Sequence, residues 1–258
     1  MGVKLNRPFR MGWILLVATL SISAVEISNI GQAIDIAGKQ RMFSFRILKD
    51  YLMIAMESEY KNPKQDMEES LKDFEEAESA LKTFAKDPKI KPLFAKVDKD
   101  FATLKLMVSK PFIKAEGESY YAQTAMLRSA AHKGVLALQE QSGEASAEVI
   151  NKMGRLRSVS QKINAIYLLK TMGIESEKIN KGMQRAMKTF KESLDFLLKA
   201  ELMDADMQKK LKKLTKIYQF FQIMNASDNY VPTIISKKSD KMLKYADELT
   251  LSYLKQKK

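Results

Sequence analysis

Two segments of the chain, 116 residues apart, share isoleucine, glycine, arginine and serine at the same spacing. The two copies read Ile34-Asp-Ile-Ala-Gly-Lys-Gln-Arg-Met-Phe-Ser44 and Ile150-Asn-Lys-Met-Gly-Arg-Leu-Arg-Ser-Val-Ser160. Further pairs at an offset of 116 or 117 include Tyr51 with Tyr167, Phe74 with Phe190, Phe101 with Tyr218 and Met126 with Met242. So many apolar matches in register predict two tandem units of one design, residues 27–142 and 143–258, after an N-terminal segment 1–26.

Turn residues divide each unit into four helices. The breaks fall at Asn62-Pro63, Asp87-Pro88 and Pro111 in the first unit, and at Gly173, Met203-Asp204 and Val231-Pro232 in the second. Pro92 suits the first turn of the third helix. Few runs alternate as strands do, so the pattern predicts an all-α protein of two tandem four-helix bundles with long helices. Residues 120–167 contain no proline, and we expect one long, bent helix there between the units.

The opening helix of each unit carries an arginine in a seam that would normally be apolar. In the first unit the seam consists of Ile34, Gly38, Arg41, Phe45, Leu48 and Leu52, at a 4-3-4-3-4 spacing. Phe43 and Ile47 belong to a second apolar stripe, which would face the unit's own bundle. Something else must therefore cover the seam, and the opening helix of the other unit, which carries Arg157, is the candidate.

Pairing these two helices would bring Arg41 and Arg157 towards each other. A buried guanidinium costs several kcal/mol unless something negative meets it, so the pair favours a bound anion. Gly38 and Gly154, one turn before the arginines, would leave room for a small partner. The alternative interpretation is that both arginines reach solvent or pair with nearby carboxylates.

The composition removes several classes of function. The chain has no cysteine and one histidine, His132, which excludes disulfides and thiolate metal sites and leaves few metal or histidine-based catalytic options. We expect no metal, no cofactor and no catalytic residue, because nucleophile–base sets and phosphate-binding loops are missing from the sequence. The methionines fall on helical stripes and are interpreted as core residues, and His132 as an ordinary helix residue.

The net charge of +13 is spread over helices that also carry acidic residues, with Lys209-Lys-Leu-Lys-Lys as the densest run. Nucleic-acid binding is therefore not expected. Residues 1–26 have basic residues before a short apolar run, which predicts a secretory signal or, if it is retained, an N-terminal anchor. Both interpretations place the rest of the chain in the periplasm.

The duplicated segments resemble the PilJ-type N-terminal sensor family of type IV pilus chemotaxis receptors, which is related to periplasmic domains of nitrate-responsive sensor histidine kinases. The resemblance rests on Gly38-Lys-Gln-Arg41 and Gly154-Arg-Leu-Arg157 with their flanking residues, which follow a pattern close to I-N-x-A-G-x-x-R-M-x-S-x-R. In the nitrate kinases this arginine holds nitrate or nitrite between two helices paired across a dimer. The resemblance therefore implies that Arg41 and Arg157 form an anion clamp within one chain, with Gly38 and Gly154 beside it.

Other residues of the segments are secondary candidates for the site. They are Ser44, Arg46, Ser160 and Lys162. The second copy departs from the family pattern at Met153, Ser158 and Lys162, so its half of the site is either altered or structural. Arg46 lies about 140° round the helix from Arg41, which places it on another face.

The leading hypothesis is an exported sensory protein, not an enzyme, that binds a nitrate-like or nitrite-like oxyanion between its two opening helices. Because the chain ends at Lys258 with no output domain, we expect it to report to a membrane histidine kinase or chemoreceptor. The alternative is a helical protein-binding module of a chemotaxis, pilus or two-component system, without a small ligand. A homodimer is compatible with both hypotheses.

Overall fold

Helix starts in this protein are set by short polar side chains and by proline. Asn29, Asn62, Ser176 and Asp204 each accept a hydrogen bond from a backbone N–H group in the first turn of the helix that follows. Such a cap satisfies a donor that has no partner inside the helix. Pro63 and Pro92 occupy the first turn of their helices, where a missing N–H is harmless.

The computed structural model describes residues 26–201, 203–227 and 229–256. Within these ranges the helices are α1 Ile30–Ala55, α2 Pro63–Phe84, α3 Lys91–Val108, α4 Gly117–Ser142, α5 Ala145–Thr171, α6 Glu177–Lys199, α7 Ala205–Asn225 and α8 Pro232–Gln256. A 3-10 turn, Lys114–Glu116, precedes α4. The described residues contain no strand, and the predicted all-α helical fold is confirmed.

The segment predicted as a signal or anchor, residues 1–26, lies outside the described residues except for Glu26. Among the helices that the structure does describe, none combines the length and the apolar character that crossing a bilayer requires.

Two of the predicted helix boundaries are wrong. The expected continuous helix over residues 120–167 is broken, because Gly143 has a φ of 65° and ends α4 in the left-handed conformation. Glycine adopts that conformation without steric cost, so α5 can begin two residues later in a new direction. The first helix ends at Ala55, before the expected break at Asn62-Pro63, and Asn62 instead caps α2.

The two central helices are α1 and α5, and they pack against each other over an extensive contact. Helix α1 also packs on α2 and α4, α5 packs on α6 and α8, and α3 and α7 lie against α4 and α8. Phe74 stacks on Phe101 with centroids 4.1 Å apart, and Phe190 stacks on Tyr218 at 5.4 Å. These stacks join residues that match at the offsets of 116 and 117. The tandem units 27–142 and 143–258 stay a prediction.

An acidic side chain in the α2–α3 layer leads to a pH-dependence prediction. Burial raises the pKa of Glu78 to about 7, although Lys82, whose Nζ is 3.0 Å away, opposes the shift. Because the pKa is higher in the folded state than its usual 4.5, ionised Glu78 destabilises the fold above pH 7, and this cost disappears as the pH falls towards 4.5.

Replacing Glu78 by Gln is therefore expected to raise the free energy of unfolding at pH 8 by roughly 1–2 kcal/mol and by nothing at pH 4.5. Lys82 keeps Asp98 as an ion-pair partner at 2.6 Å, so the substitution does not isolate a charge. Urea unfolding across pH 4.5–8 measures the effect, and Glu69→Gln, at an exposed position of the same helix, is the control. Parallel pH profiles for wild type and Glu78→Gln would contradict the prediction.

Candidate functional site

The helices α1 and α5 approach most closely where Gly38 faces Gly154. A Cβ atom built on Gly154 would lie 3.6 Å from the Cα of Gly38 and 2.6 Å from Nη2 of Arg41. A Cβ on Gly38 would lie 3.4 Å from Nη2 of Arg157. The glycines therefore make room for the two guanidinium groups, which fill the space that the sequence analysis assigned to a small partner. The four residues of the predicted site do lie together at this crossing.

Both arginines are fully inside the protein, and each reaches across to the other helix. Arg41 has 0% and Arg157 has 1% of its surface exposed. Nη1 of Arg41 donates to Oδ1 of Asn151 at 2.8 Å, and Nη2 of Arg157 donates to Oδ1 of Asp35. Because Asp35 and Asn151 occupy equivalent positions at the offset of 116, the two contacts are related by the same duplication as the arginines.

The two halves of the crossing differ in charge. Arg157 contacts two carboxylates, Asp35 from α1 and Asp247 from α8, the second at 3.1 Å. Burial by itself lowers the pKa of Arg157, but these two carboxylates raise it above its usual value. Burial by itself raises the pKa of Asp35, but Arg157 and Lys39 lower it overall. The Arg157 half is therefore neutralised from within the chain.

Arg41 has only neutral acceptors. Besides Asn151, its Nη1 donates to Nδ1 of His132 at 3.1 Å, because a guanidinium has no acceptor atom. Burial, followed by the charges of Arg41, Arg128 and Arg155, lowers the pKa of His132 to about 3, so the imidazole is neutral at physiological pH. No carboxylate among the described residues lies within 4.0 Å of the Arg41 guanidinium, so it has no direct ion pair there.

Keeping Arg41 charged in the protein interior costs free energy, and the neighbouring cations increase that cost. Burial lowers the pKa of Arg41 well below the usual value, and Arg128, Arg155 and Arg157 lower it further, while Asp35 opposes the shift without offsetting it. The Nε–H group of Arg41 is buried and has no hydrogen-bond partner among the described residues. A guanidinium has five N–H donors, and contacts to Asn151 and His132 use only part of this set. Arg41 thus retains donor capacity and positive charge for an anion.

The secondary candidates lie outside this contact. The hydroxyls of Ser44 and Ser160 donate to carbonyl oxygens of their own helices, those of Gln40 at 2.8 Å and Arg157 at 2.7 Å. Arg46 faces Asp66 of α2, 3.6 Å away, which agrees with its expected place on another face.

Lys162, the fourth secondary candidate, lies over two aromatic rings. Its Nζ is 5.5 Å from the centroid of Phe45 and 6.0 Å from that of Tyr121. It faces α4 and α6 and does not contact Arg41.

Sequence reasoning missed four residues of the crossing: Asp35, His132, Asn151 and Asp247. His132 is half-buried on α4, within the surface or half-buried role expected for it, and nothing in the sequence indicated that it contacts Arg41. Asp35 and Asn151 stand at the same position of the two duplicated segments, and this match was the available signal. Nothing in the local sequence around Asp247 identifies it as a partner of Arg157.

Comparison with protein families gives one match. Residues 26–113 match the family described as PilJ, type IV pili methyl-accepting chemotaxis transducer N-terminus. Over these residues the chain is similar to the PilJ family. The predicted resemblance is thereby confirmed for the part of the chain that carries Gly38 and Arg41, whereas a second tandem copy stays a prediction. No curated protein and no solved structure matches the chain.

The PilJ match defines a coarse function. PilJ domains are sensory, non-enzymatic helical domains and are typically periplasmic, and the match over residues 26–113 indicates a sensory helical domain of this type. A domain of this type works with signalling partners. The described residues contain no group of three or more acidic or histidine side chains that could hold a metal ion.

Proposed function

We propose that this protein is an exported sensory protein that binds a small, singly charged oxyanion of the nitrate or nitrite type beside Arg41. The single observation that carries the proposal is the buried guanidinium of Arg41, which has no carboxylate partner in the described part of the chain, while its counterpart Arg157 has two. An unneutralised charge in a protein interior is expensive, and a bound anion would remove that cost.

The charge and the geometry favour an oxyanion over a halide. An anion on the Nε side of Arg41 would accept charge-assisted hydrogen bonds from donors that have no protein partner. A planar oxyanion with two oxygens matches the fork of a guanidinium better than a spherical ion does. One negative charge is enough at this position, because Asp35 and Asp247 already balance Arg157.

Signalling would follow from the position of the site between α1 and α5. An anion that draws Arg41 away from Asn151 or His132 changes the contacts across the helix pair. Such a ligand shifts the population towards the helix arrangement that it binds better, and a membrane histidine kinase or chemoreceptor would respond to that shift. Residues 1–26 would direct export to the periplasm, the usual location of PilJ domains.

Ligand-dependent stability of the purified protein tests the proposal. Sodium nitrate and nitrite are expected to raise the melting temperature by several degrees over sodium chloride at equal ionic strength, since a ligand at 100 times its Kd adds about 2.7 kcal/mol of stability. Arg41→Gln should abolish the rise. Arg46→Gln, which removes an arginine of the same helix that faces α2, should retain it. An equal effect of all three salts, or an undiminished rise in Arg41→Gln, would refute oxyanion binding at Arg41.

The alternative, a protein-binding module whose arginine seam docks a partner, fits the structure less well. The seam is already covered, because α1 and α5 bury it against each other and Arg41 has 0% exposure. A partner would have to separate the two central helices to reach Arg41. Capture of a signalling partner that depends on Arg41 but is indifferent to nitrate would favour this alternative.

A further inference from the structure

A second group of cations lies along α4, α5 and α6, beside the α1–α5 crossing, and two of its members, Arg128 and Arg155, also act on Arg41. Its members are Arg128 of α4, Arg155 and Lys162 of α5, and Arg185 of α6. Arg128, Arg155 and Lys162 are half-buried and Arg185 is exposed. We refer to these four residues as the cationic groove.

Helix geometry places these side chains on facing surfaces. Arg155 and Lys162 are seven residues apart on α5, and Tyr121 and Arg128 are seven apart on α4, so each pair lies on one face of its helix. The hydroxyl of Tyr121 joins α4 to α6, since a Cβ on Gly182 would lie 1.9 Å from it. Arg185 is one turn after Gly182 and therefore lies on the same side of α6.

The four cations repel one another and have no internal counter-charge. Some lysines of α6 lie 4.0 Å or less from a carboxylate, as Lys181 does from Glu177 and Lys191 from Asp195. No such ion pair includes Arg128, Arg155, Lys162 or Arg185 among the described residues. The Nε–H groups of Arg128 and Arg155 are buried without a hydrogen-bond partner.

The pKa values of two groups in the cationic groove are lowered, as expected for cations that repel one another. Burial, then Arg128 and Arg185, lowers the pKa of Lys162 to about 7. Burial, then Arg155, lowers the pKa of Arg128 to about 10. Each cation therefore raises the cost of its neighbour's charge, which an external anion would relieve.

We propose that the cationic groove is a second binding site, which takes a small oxyanion carrying two or more negative charges. Four cations without carboxylates exceed what a monoanion can neutralise, which distinguishes this ligand from the one proposed at Arg41. The unpartnered Nε–H donors are buried, so a small ligand reaches them more readily than the surface of a folded protein does. Phe45 and Tyr121, under the ammonium of Lys162, form an apolar wall that limits access of water to one side.

Sulfate and citrate, measured by calorimetry and thermal unfolding at pH 7.5, are suitable probes. We expect both to bind and to raise the melting temperature over chloride at equal ionic strength. The double variant Lys162→Met, Arg185→Gln should weaken binding of both probes at least tenfold. The matched control, Lys181→Met with Lys188→Gln, removes two positive charges from exposed positions of α6 and should leave affinity within about twofold.

Three outcomes decide the proposal. Equal weakening in the two double variants would show general charge attraction and overturn it. Stabilisation of the wild-type protein by polyglutamate, but not by sulfate or citrate, would overturn it in favour of an acidic protein partner, and this result needs no variant. Retention of the sulfate response in Arg41→Gln is expected, so a failure of nitrate binding at Arg41 and a failure of the cationic groove are distinguishable.

Discussion

Replacing Arg157 by methionine is expected to lower the free energy of unfolding by about 3–5 kcal/mol, because it leaves a buried carboxylate without its main partner. Asp35 has 5% of its surface exposed, and after the substitution only Lys39, 3.5 Å away and 39% exposed, would contact it. Asp247 is less affected, since its side chain is 40% exposed and water can solvate it. Urea unfolding followed by circular dichroism at pH 7 measures the loss.

A double-mutant cycle separates this charge effect from lost packing. Asp35→Asn introduces the residue that stands at the equivalent position 151, and in the Arg157→Met background it should recover about 1–3 kcal/mol. Arg46→Met is the control for removal of an arginine from a central helix, and a loss within about 1 kcal/mol is expected there because Arg46 is only half-buried. Failure of Asp35→Asn to recover any stability would show that Asp35 is not the group left uncompensated.

Replacing Arg41 by methionine is expected to have the opposite sign and to raise the free energy of unfolding by about 1–3 kcal/mol in nitrate-free buffer. The variant removes a buried charge that has no carboxylate within 4.0 Å among the described residues and that Arg128, Arg155 and Arg157 repel more strongly than Asp35 attracts it. It also deprives Asn151 of a donor, at a cost of about 1–3 kcal/mol that offsets part of the gain. The side chain of Asn151 stays anchored, because its Nδ2 still donates to Oε1 of Gln139 at 2.6 Å, but its Oδ1 loses the donor.

Comparison of the two methionine variants in the same assay provides the control. Arg41 and Arg157 are equally buried, but their neighbours differ in charge. Replacing each by methionine should therefore change the free energy of unfolding in opposite directions. Saturating nitrate should stabilise the wild type and not Arg41→Met. It should therefore reduce the difference in free energy of unfolding between the two proteins. A loss of several kcal/mol in both variants would mean that the charge of Arg41 is compensated within the fold, and the argument for an anion there would fail.

The sequence was sufficient for the features that depend on short stretches of chain. The seam that contains Gly38 and Arg41 predicts a helix with two buried faces, and α1 does pack on α5 along this seam. Pro92 marks the start of α3 because a ring nitrogen without a hydrogen fits only the first turn of a helix. The break at Gly143 was missed because a helix tolerates an isolated glycine, and nothing local distinguishes that case from a left-handed turn.

By itself, the sequence determined the all-helical class, most of the helix starts and the presence of an arginine in each buried seam, since periodicity and capping act over a few residues. Only the tertiary structure decided which arginine is neutralised. The partners of Arg157 come from positions 35 and 247, and those of Arg41 from positions 132 and 151, so each set forms only when distant helices cross at one angle. Electrostatic energy in an interior depends on those few distances, and a pattern along the chain does not contain them.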